Sequence, residues 1–420
     1  MRAQIRHDAM AFAEEKSTAG APIPRGRAAL DTPLGTLSIT VHNRMAPVER
    51  VWRQLESDPW NSLHQGYDWC HAWVETHGNP LAIVEGRLNG EIAFLLPLEV
   101  ERHYFARSAQ FIGSAFTNFN SGLFSAAFRR CSKDFSSDGL QTLLVEALRD
   151  HADLLSLSNV PLDWRGEGHP LAALPHIRNQ NASFQLALGS NMDETIQCLN
   201  AKSRRKKYRA QIRKLEAAGG FDHIRPIQQS EQQALLETFF RQKAARFATG
   251  GLPNVFQPAE TQAFFHLLLE SDRGSSDVPL ELHAIRLKGE HESKIAAIAG
   301  LSRKGDHVIC QFGSIDESLL PDASPGELLF WLVIERSALT GAALFDFGIG
   351  DQDYKRRWCT MKSEHHDILV PLRPAGHVAA MTHRSVTRTK SLIKGNAHLY
   401  ALIQRLRAQG TIAPAARSED

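Results

Sequence analysis

The sequence predicts an α/β protein made of two similar halves, each a mixed sheet with helices packed on its faces. The main observation is the element order of residues 181–375, which reads β-α-α-β-β-β-α-β-α-β. Residues 35–180 give a looser version of the same order. In addition, Asn89-Gly90 separates two apolar runs, which is typical of a β-hairpin. We therefore expect two tandem domains of one topology.

The elements of the first half follow from short-range patterns. Alternating or apolar runs bounded by turn residues predict strands, and Trp69 and Trp73, four residues apart, place an aromatic stripe on one helix. The predicted strands are 36–41, 81–88, 92–100, 108–112 and 153–157, and the predicted helices are 47–56, 67–77 and 140–149.

The second half is interpreted in the same way, with Gly219-Gly220 ending a long helix. Its predicted strands are 182–187, 221–226, 281–287, 293–301, 307–314, 344–347 and 366–370. Its predicted helices are 193–218, 230–247, 258–271, 325–340, 352–357 and 386–408. Outside the two domains we expect a flexible N-terminal lead over residues 1–34, and a helix with a polar tail over residues 376–420.

Composition excludes several classes of protein. The 420 residues include 48 Lys or Arg and 46 Asp or Glu, a formal net charge of +2, so neither a polyanion-coating protein nor an acidic tail protein is expected. The longest apolar runs hold seven residues, far below the roughly 18 that cross a bilayer. Five widely spaced cysteines without a C-x-x-C pair predict reduced thiols in a cytoplasmic protein. No metal site is expected, since His365-His366 lacks partners at ligand spacing.

Residues 346–358, with the sequence DFGIGDQDYKRRW, gather acids, a phenol and cations at the end of a short apolar strand. A carboxylate in such a strand is costly to bury unless it has a partner. The end of a central strand is also where an open α/β sheet usually places its ligand crevice. Asp346, Tyr354 and Lys355 are therefore the catalytic candidates. A structural ion pair beside a solvated basic turn explains the same residues equally well.

Residues 324–327, Ser-Pro-Gly-Glu, predict a helix start with a capping box. Free N–H groups at such a start attract an anion, for which the pyrophosphate of an acyl carrier is suited, although Glu327 competes for the same donors. Strand 308–314 leads towards this helix. The residues predicted to bind the acyl carrier are Gln311, Ser314, Ser324 and Gly326.

Two further segments are candidates for binding. Residues 202–214 hold eight Lys or Arg and no acid, while Tyr208, Ile212 and Leu215 form an apolar stripe on the same helix. A solvated face is the favoured interpretation, and contact with the phosphates of a nucleotide, RNA or anionic lipid is the alternative. Asn118 and Asn120 follow a strand and could line a pocket between the halves, although turn chemistry explains them somewhat better.

Taken in order, these segments resemble the CelD/BcsL-type acetyltransferase family of bacterial cellulose and exopolysaccharide synthesis, a branch of the GNAT superfamily. The resemblance covers about residues 45 to 375. It implies a tandem GNAT fold and transfer of an acyl group, in the first instance acetyl from acetyl-CoA, to a hydroxyl or amine acceptor such as a sugar. The matching segments are Tyr67-Asp68-Trp69, Phe111-Ile112-Gly113, Val160-Pro161, residues 203–219, Ser324-Pro325-Gly326, Phe345-Asp346-Phe347 and Tyr354-Lys355.

The chain is also similar to the Fem-type aminoacyltransferases, whose F-K-x-x-F segment corresponds to residues 354–358. The resemblance implies that Lys355 offsets charge at the reacting carbonyl. Our own hypothesis adds that Asp346 orients the acceptor or takes its proton, and that Tyr354 protonates the leaving thiolate. The residues expected to bind the acceptor are Asn118, Asn120, Arg246 and Trp358. The sequence departs from the pattern in two places: residues 324–327 replace the usual pyrophosphate loop, and Asn118 or Asn120 stands where an acid is frequent.

Two alternatives remain open at this point. The first is transfer of an aminoacyl group from tRNA, with residues 202–214 holding the RNA. The second is a non-catalytic partner of a polysaccharide synthase, which would place the protein peripherally at the inner membrane face.

Overall fold

The computed structural model describes residues 27–103, 105–271 and 277–395. Its strands, in chain order, are β1 (Arg27–Thr32), β2 (Gly35–His42), β3 (Ile83–Leu88), β4 (Glu91–Leu96), β5 (Leu98–His103), β6 (Ala106–Phe111), β7 (Leu123–Phe124), β8 (Leu154–Val160), β9 (Asp163–Trp164), β10 (Glu167–Gly168), β11 (His176–Ala187), β12 (Phe221–Ile224), β13 (Val278–Leu287), β14 (Ile295–Lys304), β15 (His307–Ile315), β16 (Leu344–Ile349) and β17 (Met361–Pro371). Its α-helices are α1 (Glu49–Glu56), α2 (Tyr67–His77), α3 (Ala126–Cys131), α4 (Ser137–Leu148), α5 (Met192–Thr195), α6 (Ala201–Ala217), α7 (Gln229–Gly250), α8 (Ala259–Glu270), α9 (Pro325–Leu339), α10 (Asp353–Trp358) and α11 (Pro374–Gly395).

The strands form two large sheets and a small ribbon of β9 and β10. One sheet has five strands in the order β1-β2-β3-β4-β7, and the other has ten in the order β12-β13-β14-β15-β16-β11-β17-β8-β6-β5. In the larger sheet β15 pairs with β16, and β6 with β8, in parallel, while other neighbours are antiparallel. Helices cover the sheets, with α4 on β1, α9 on β14 and α11 on β17. The predicted α/β class with mixed, helix-flanked sheets is confirmed.

The larger sheet runs through both halves of the sequence, because β5, β6 and β8 join the strands that follow residue 175. One predicted strand, 92–100, is in fact two strands in different sheets. β4 lies in the five-stranded sheet and β5 in the ten-stranded one, with Pro97 between them. Proline cannot donate to a ladder and its ring restricts the backbone, so it allows the chain to change sheets there.

Three other boundaries differ from those predicted. Strand β1 lies inside the expected flexible lead, where it pairs along its length with β2. The predicted helix 193–218 is interrupted, because the side chain of Asn200 accepts a hydrogen bond from the Ser203 N–H and starts α6 anew. The last helix begins at Pro374 and not at residue 386, and the predicted segment 396–408 lies outside the described residues.

The two halves of the chain share one hydrophobic core. The α2 residues Trp69 and Trp73 contact Phe264 of α8 edge to face, with ring centroids 5.3 Å and 5.1 Å apart. All three rings are buried, and the same cluster includes Trp52 from the first half and Phe312 from the second. The cluster fixes the first half against the face of the sheet that carries β14 and β15. None of the helices in the described ranges is long and apolar enough to cross a membrane.

This shared core predicts how the protein unfolds. We expect Phe264→Ala to lower the free energy of unfolding by about 3–5 kcal/mol, because it leaves a cavity between the halves. Since residues of both halves line that cavity, thermal unfolding should remain one transition at a lower Tm. Phe105→Ala, at a ring that is 57% exposed, is the matched control and should change the Tm little. Two separate transitions, of which only one shifts, would contradict a shared core.

Candidate functional site

The central feature of the ten-stranded sheet is a split between β15 and β16. The two strands pair in parallel at His307 with Leu344, Val308 with Phe345 and Ile309 with Asp346. The β15–β16 pairing ends at Ile309 and Asp346, although β15 continues to Ile315 and β16 to Ile349. Parallel strands that separate within a sheet leave backbone groups unpaired on their facing edges. The split therefore leaves backbone groups of both strands outside the β15–β16 ladder, and on the β16 side the N–H groups of Gly348 and Ile349 are bonded by side chains instead.

A β-bulge in β15 lies at the start of this split. In the ladder with β14, Gly300 faces Phe312 and Leu301 faces Cys310, so Gln311 is the extra residue. A bulge bends its strand and takes the extra residue out of the ladder, which explains why β15 turns away from β16 at this point. The bulge coincides with one of the residues predicted to bind the acyl carrier.

Asp346, on the other side of the split, is 1% exposed. Its Oδ2 accepts a hydrogen bond from Gln185 Nε2 at 2.6 Å and its Oδ1 accepts one from the Gly348 N–H at 2.7 Å. His307 Nε2 lies 3.6 Å from Oδ2. Burial alone would raise the pKa of Asp346, but His307 and the two hydrogen bonds outweigh it and hold the pKa below its ordinary value. The carboxylate therefore stays charged inside the sheet.

Lys355, on α10, is also buried and is directed back to the end of β16. Its Nζ donates to the carbonyl oxygen of Ile349 at 2.6 Å and lies 3.4 Å from that of Gly348. Asp346 and Lys355 thus bind the same two residues at the end of β16, Gly348 and Ile349, which we call the Gly348 turn. The carboxylate accepts the Gly348 N–H, and the ammonium donates to the carbonyl oxygens of both residues. Both side chains are buried at the end of β16, and the catalytic roles expected of Asp346 and Lys355 stay predictions.

The turn itself requires glycine and is contacted from the first half of the chain. Gly348 has φ +73°, and a Cβ built there would lie 3.0 Å from the Asn118 side-chain amide. Asn118 Oδ1 accepts from the Ile349 N–H at 3.4 Å, and its Nδ2 lies 3.5 Å from Gln311 Oε1. Asn118 therefore spans the split between the two strands. Asn118, from the first half, thus contacts two residues of the second half, and its expected part in lining a pocket stays a prediction.

Sequence reasoning missed His64, which lies at the same place. Its Nδ1 is 2.9 Å from the Phe119 carbonyl oxygen and its Nε2 is 3.0 Å from Gln311 Nε2, which also donates to Ser302 Oγ at 2.9 Å. These contacts assign the neutral tautomer with the proton on Nδ1. Burial lowers the pKa of His64, although its hydrogen bonds oppose the shift. A single histidine in a polar loop gives no signal of this role in the sequence.

The start of α9 lies close to the end of β15, where a Cβ built on Gly326 would be 2.6 Å from Ile315 Cγ2. The predicted capping box is wrong. Ser324 has φ +49°, outside the extended conformation of a typical N-cap, and its side chain makes no cap hydrogen bond. Glu327 instead binds Arg204 at 3.0 Å and Lys207, both on α6. The basic helix thus brings cations to the first turn of α9.

Several predicted site residues are used inside the fold. Asn120 is fully buried and its amide binds Gln65 and the Ser158 carbonyl, while the acceptor contact expected of it stays a prediction. Ser314 donates to Gln242 of α7 at 2.6 Å. Trp358 is 1% exposed beneath the Arg204 guanidinium, which lies 4.1 Å from its ring centroid. The binding roles expected of Ser314 and Trp358 stay predictions.

Two more candidates have other surroundings. The ring of Tyr354 stacks on Phe330 of α9 at 5.4 Å and contacts Phe347 edge-on at 6.1 Å, so the ring serves in packing α10 against the sheet. Arg246 lies exposed near the end of α7. The roles expected of these two side chains stay predictions. Within the described ranges, no group of three or more His, Cys, Asp or Glu residues could hold a metal ion.

Comparison with known proteins identifies the chemistry of the second half. Residues 202–356 match the acetyltransferase (GNAT) domain family, a segment that runs from α6 through the split strands and α9 into α10. The chain carries a GNAT acetyltransferase domain and is an acyltransferase. A domain of this family implies an acyl-CoA co-substrate. The alternative of a non-catalytic partner is therefore not favoured.

Solved structures give a second comparison. The crystal structure of FemX is similar at a TM-score of 0.55 and 13% identity, over 76% of this chain and 95% of that chain. The structure of L-PGS from Bacillus licheniformis has a TM-score of 0.45 and 11% identity, over 82% of this chain and 98% of that chain. A tandem GNAT protein from the clavulanic acid biosynthesis pathway has a TM-score of 0.45 and 10% identity, over 80% of this chain and 99% of that chain. The likeness to FemX indicates a shared fold. None of the curated proteins matches the chain.

The Gly348 turn at the end of β16 yields a prediction with a matched control. Gly348 and Gly341 both have positive φ, but a Cβ at Gly341 meets nothing within 4 Å. Gly348→Ala and Gly341→Ala should each cost roughly 1–2 kcal/mol of stability for the left-handed backbone. Gly348→Ala should in addition displace Asn118 and lower the acyl-transfer rate. Equal transfer rates in the two folded variants would contradict a role for the turn in the reaction.

Proposed function

We propose that the protein transfers an acyl group, acetyl in the first instance, from a CoA thioester to a hydroxyl or amine acceptor at the split between β15 and β16. The observation that supports this most is the split itself, which opens at the bulge of Gln311 and lies within the segment that matches the acetyltransferase domain. Two separating strands can hold an extended thioester arm through backbone hydrogen bonds, as an added strand would be held.

In this proposal the acyl carbonyl lies beside the bulge. Backbone N–H groups near residues 311–314 polarise it and stabilise the negative charge of the tetrahedral state. A lone pair of the acceptor oxygen or nitrogen attacks the carbonyl carbon, the C–S bond breaks, and the thiolate leaves as the free thiol with the proton lost by the acceptor. The predicted proton acceptor is Asp346. Its contacts also support an indirect part, because it fixes the Gly348 turn at the mouth of the split.

The pyrophosphate of the carrier is proposed to bind at the first turn of α9. Gly326 allows that turn to lie against the end of β15, and Arg204 and Lys207 supply positive charge there. Glu327 already occupies these cations as an internal anion. The carrier would therefore compete with Glu327, which is consistent with the absence of the usual pyrophosphate-loop sequence at residues 324–327.

For the acceptor we propose a sugar hydroxyl or amine of polysaccharide or cell-envelope biosynthesis, which rests on the sequence resemblance to the CelD/BcsL-type family. One observation favours a second function, aminoacyl transfer from tRNA. Four cations of α6 are exposed at spacings of four, three and four residues and so form one stripe along the helix; they are Lys202, Lys206, Arg209 and Arg213. Such a stripe can follow a phosphate backbone.

The proposal is tested by measuring thioester consumption and product formation with acetyl-CoA, longer acyl-CoAs and charged tRNA against a panel of sugar and amine acceptors. Asp346→Asn should lower the transfer rate on the order of a hundredfold or more, because it loosens the turn and removes the charge at the site. The matched control is Asp367→Asn. Asp367 is equally buried on β17 and binds Asn179 and His383, away from the turn.

A second pair of variants tests the ammonium. Lys355→Met should lower the transfer rate. The control is Lys304→Met, which removes another buried lysine, bound to Asp277 and the Glu56 carbonyl. This variant should keep a transfer rate near the wild-type value. If both pairs behave alike in folded protein, the site is wrong. Consumption of charged tRNA but of no acyl-CoA would establish the second function in place of the first.

A further inference from the structure

Helix α11 has an inner face on the sheet and an outer face with unusual chemistry. On the inner side Ala380 is 1% exposed and Thr387 is 5% exposed, and Gly376 lies so close to β8 that a Cβ there would overlap the Asp153 carbonyl. The helix contacts β8, β11 and β17. Its position against the sheet is therefore fixed by packing, and the composition of the outer face calls for a separate explanation.

Large apolar side chains lie on the outer face. Met381 is 66% exposed and Leu392 is 73% exposed, and eleven residues, about three turns, separate them, so they lie on one stripe of the helix. Val378 and Val386 are also about half exposed on this side. An exposed Leu is ordinary by itself, but four such side chains on one helix face, interspersed with the exposed hydroxyl residues Thr382, Ser385 and Thr389, are typical of an interaction site.

The charge around this apolar surface is of one sign. Residues 368–418 contain eight Lys or Arg and no acid, although the whole chain has 46 acids against 48 bases. Within the described part of α11, Arg388 is exposed between Met381 and Leu392, and Arg384 and Lys390 are half-buried beside it. The outer face of α11 is thus an amphipathic surface whose charged groups are cations.

We propose that the outer face of α11 docks the protein on an anionic phospholipid surface, with Val378, Met381, Val386 and Leu392 at the level of the headgroups and the cations on lipid phosphates. Interfacial helices combine apolar side chains with Lys and Arg in this way. The attraction of cations to an anionic leaflet supplies the second part of the binding. The proposal concerns a surface distinct from the split between β15 and β16 and does not rest on the proposed function.

The same features disfavour other occupants. A symmetric contact between two copies of this face would bring Arg384 and Arg388 towards the same cations of the second copy, which is repulsive. A nucleic acid would satisfy the cations but would leave the apolar side chains without a partner. The purely cationic stripe of α6 is better suited to a phosphate backbone than α11 is.

The test is sedimentation of the full-length protein with vesicles of phosphatidylcholine alone and of phosphatidylcholine with phosphatidylglycerol. We expect binding to the anionic vesicles and little to the neutral ones. The double variant Arg388→Ala with Lys390→Ala should weaken binding on the order of tenfold, since each cation near the surface contributes about 1 kcal/mol. Met381→Ser with Leu392→Ser should also weaken it.

Matched controls separate this face from general surface effects. Leu339→Ser removes an apolar side chain that is 68% exposed on α9, and Arg130→Ala with Lys133→Ala removes two exposed cations at the end of α3. Both should bind vesicles like the wild type, and an unchanged Tm checks the fold of every variant. The proposal is overturned if the wild type does not bind anionic vesicles, if the α11 variants bind as well as the controls, or if Met381→Ser with Leu392→Ser only dissociates a dimer.

Discussion

A buried carboxylate and a buried ammonium on either side of one glycine turn are the constraint on which the site depends. Asp346 accepts the Gly348 N–H, and Lys355 donates to the carbonyl of Ile349. Neither charge could be buried at acceptable cost without such partners. The two charges therefore stabilise a defined backbone at the point where β16 leaves β15.

The opposite wall of the split has a different origin. β15 is bent by the bulge at Gln311, and the Gln311 side chain is held by Ser302 and by neutral His64. His64 and Asn118 come from the first half of the chain, and the aromatic core around Phe264 fixes that half against the sheet. The acetyltransferase match lies in residues 202–356, yet the site is completed by residues outside that segment.

Much of the fold could be predicted from the sequence, because apolar periodicity and turn residues act over short distances. The prediction failed where contacts between residues far apart in the sequence decide the local structure. Pro97 turns one apolar run into strands of two sheets. Ser324 has a left-handed backbone and does not cap its helix, and Glu327 binds Arg204 and Lys207 across the fold instead of closing a capping box.

The site shows the same division. The motif around Asp346 and Lys355 was recognised from local sequence, and Asn118 from its place after a strand. The burial of Asn120 and the role of His64 depend on tertiary packing that no local pattern contains. Residue types thus indicated where the candidate site lies, while packing decides which partners each side chain has.

The most direct measurement is a crystal structure of the protein with acetyl-CoA. The account predicts that the thioester lies between Gln311 of β15 and Gly348 of β16, with the pyrophosphate at the first turn of α9 near Arg204. The account would be contradicted by coenzyme A bound elsewhere, for example in the groove of about 530 Å³ beside α7 that includes Phe247 and Leu252, with the strands of the split in direct contact.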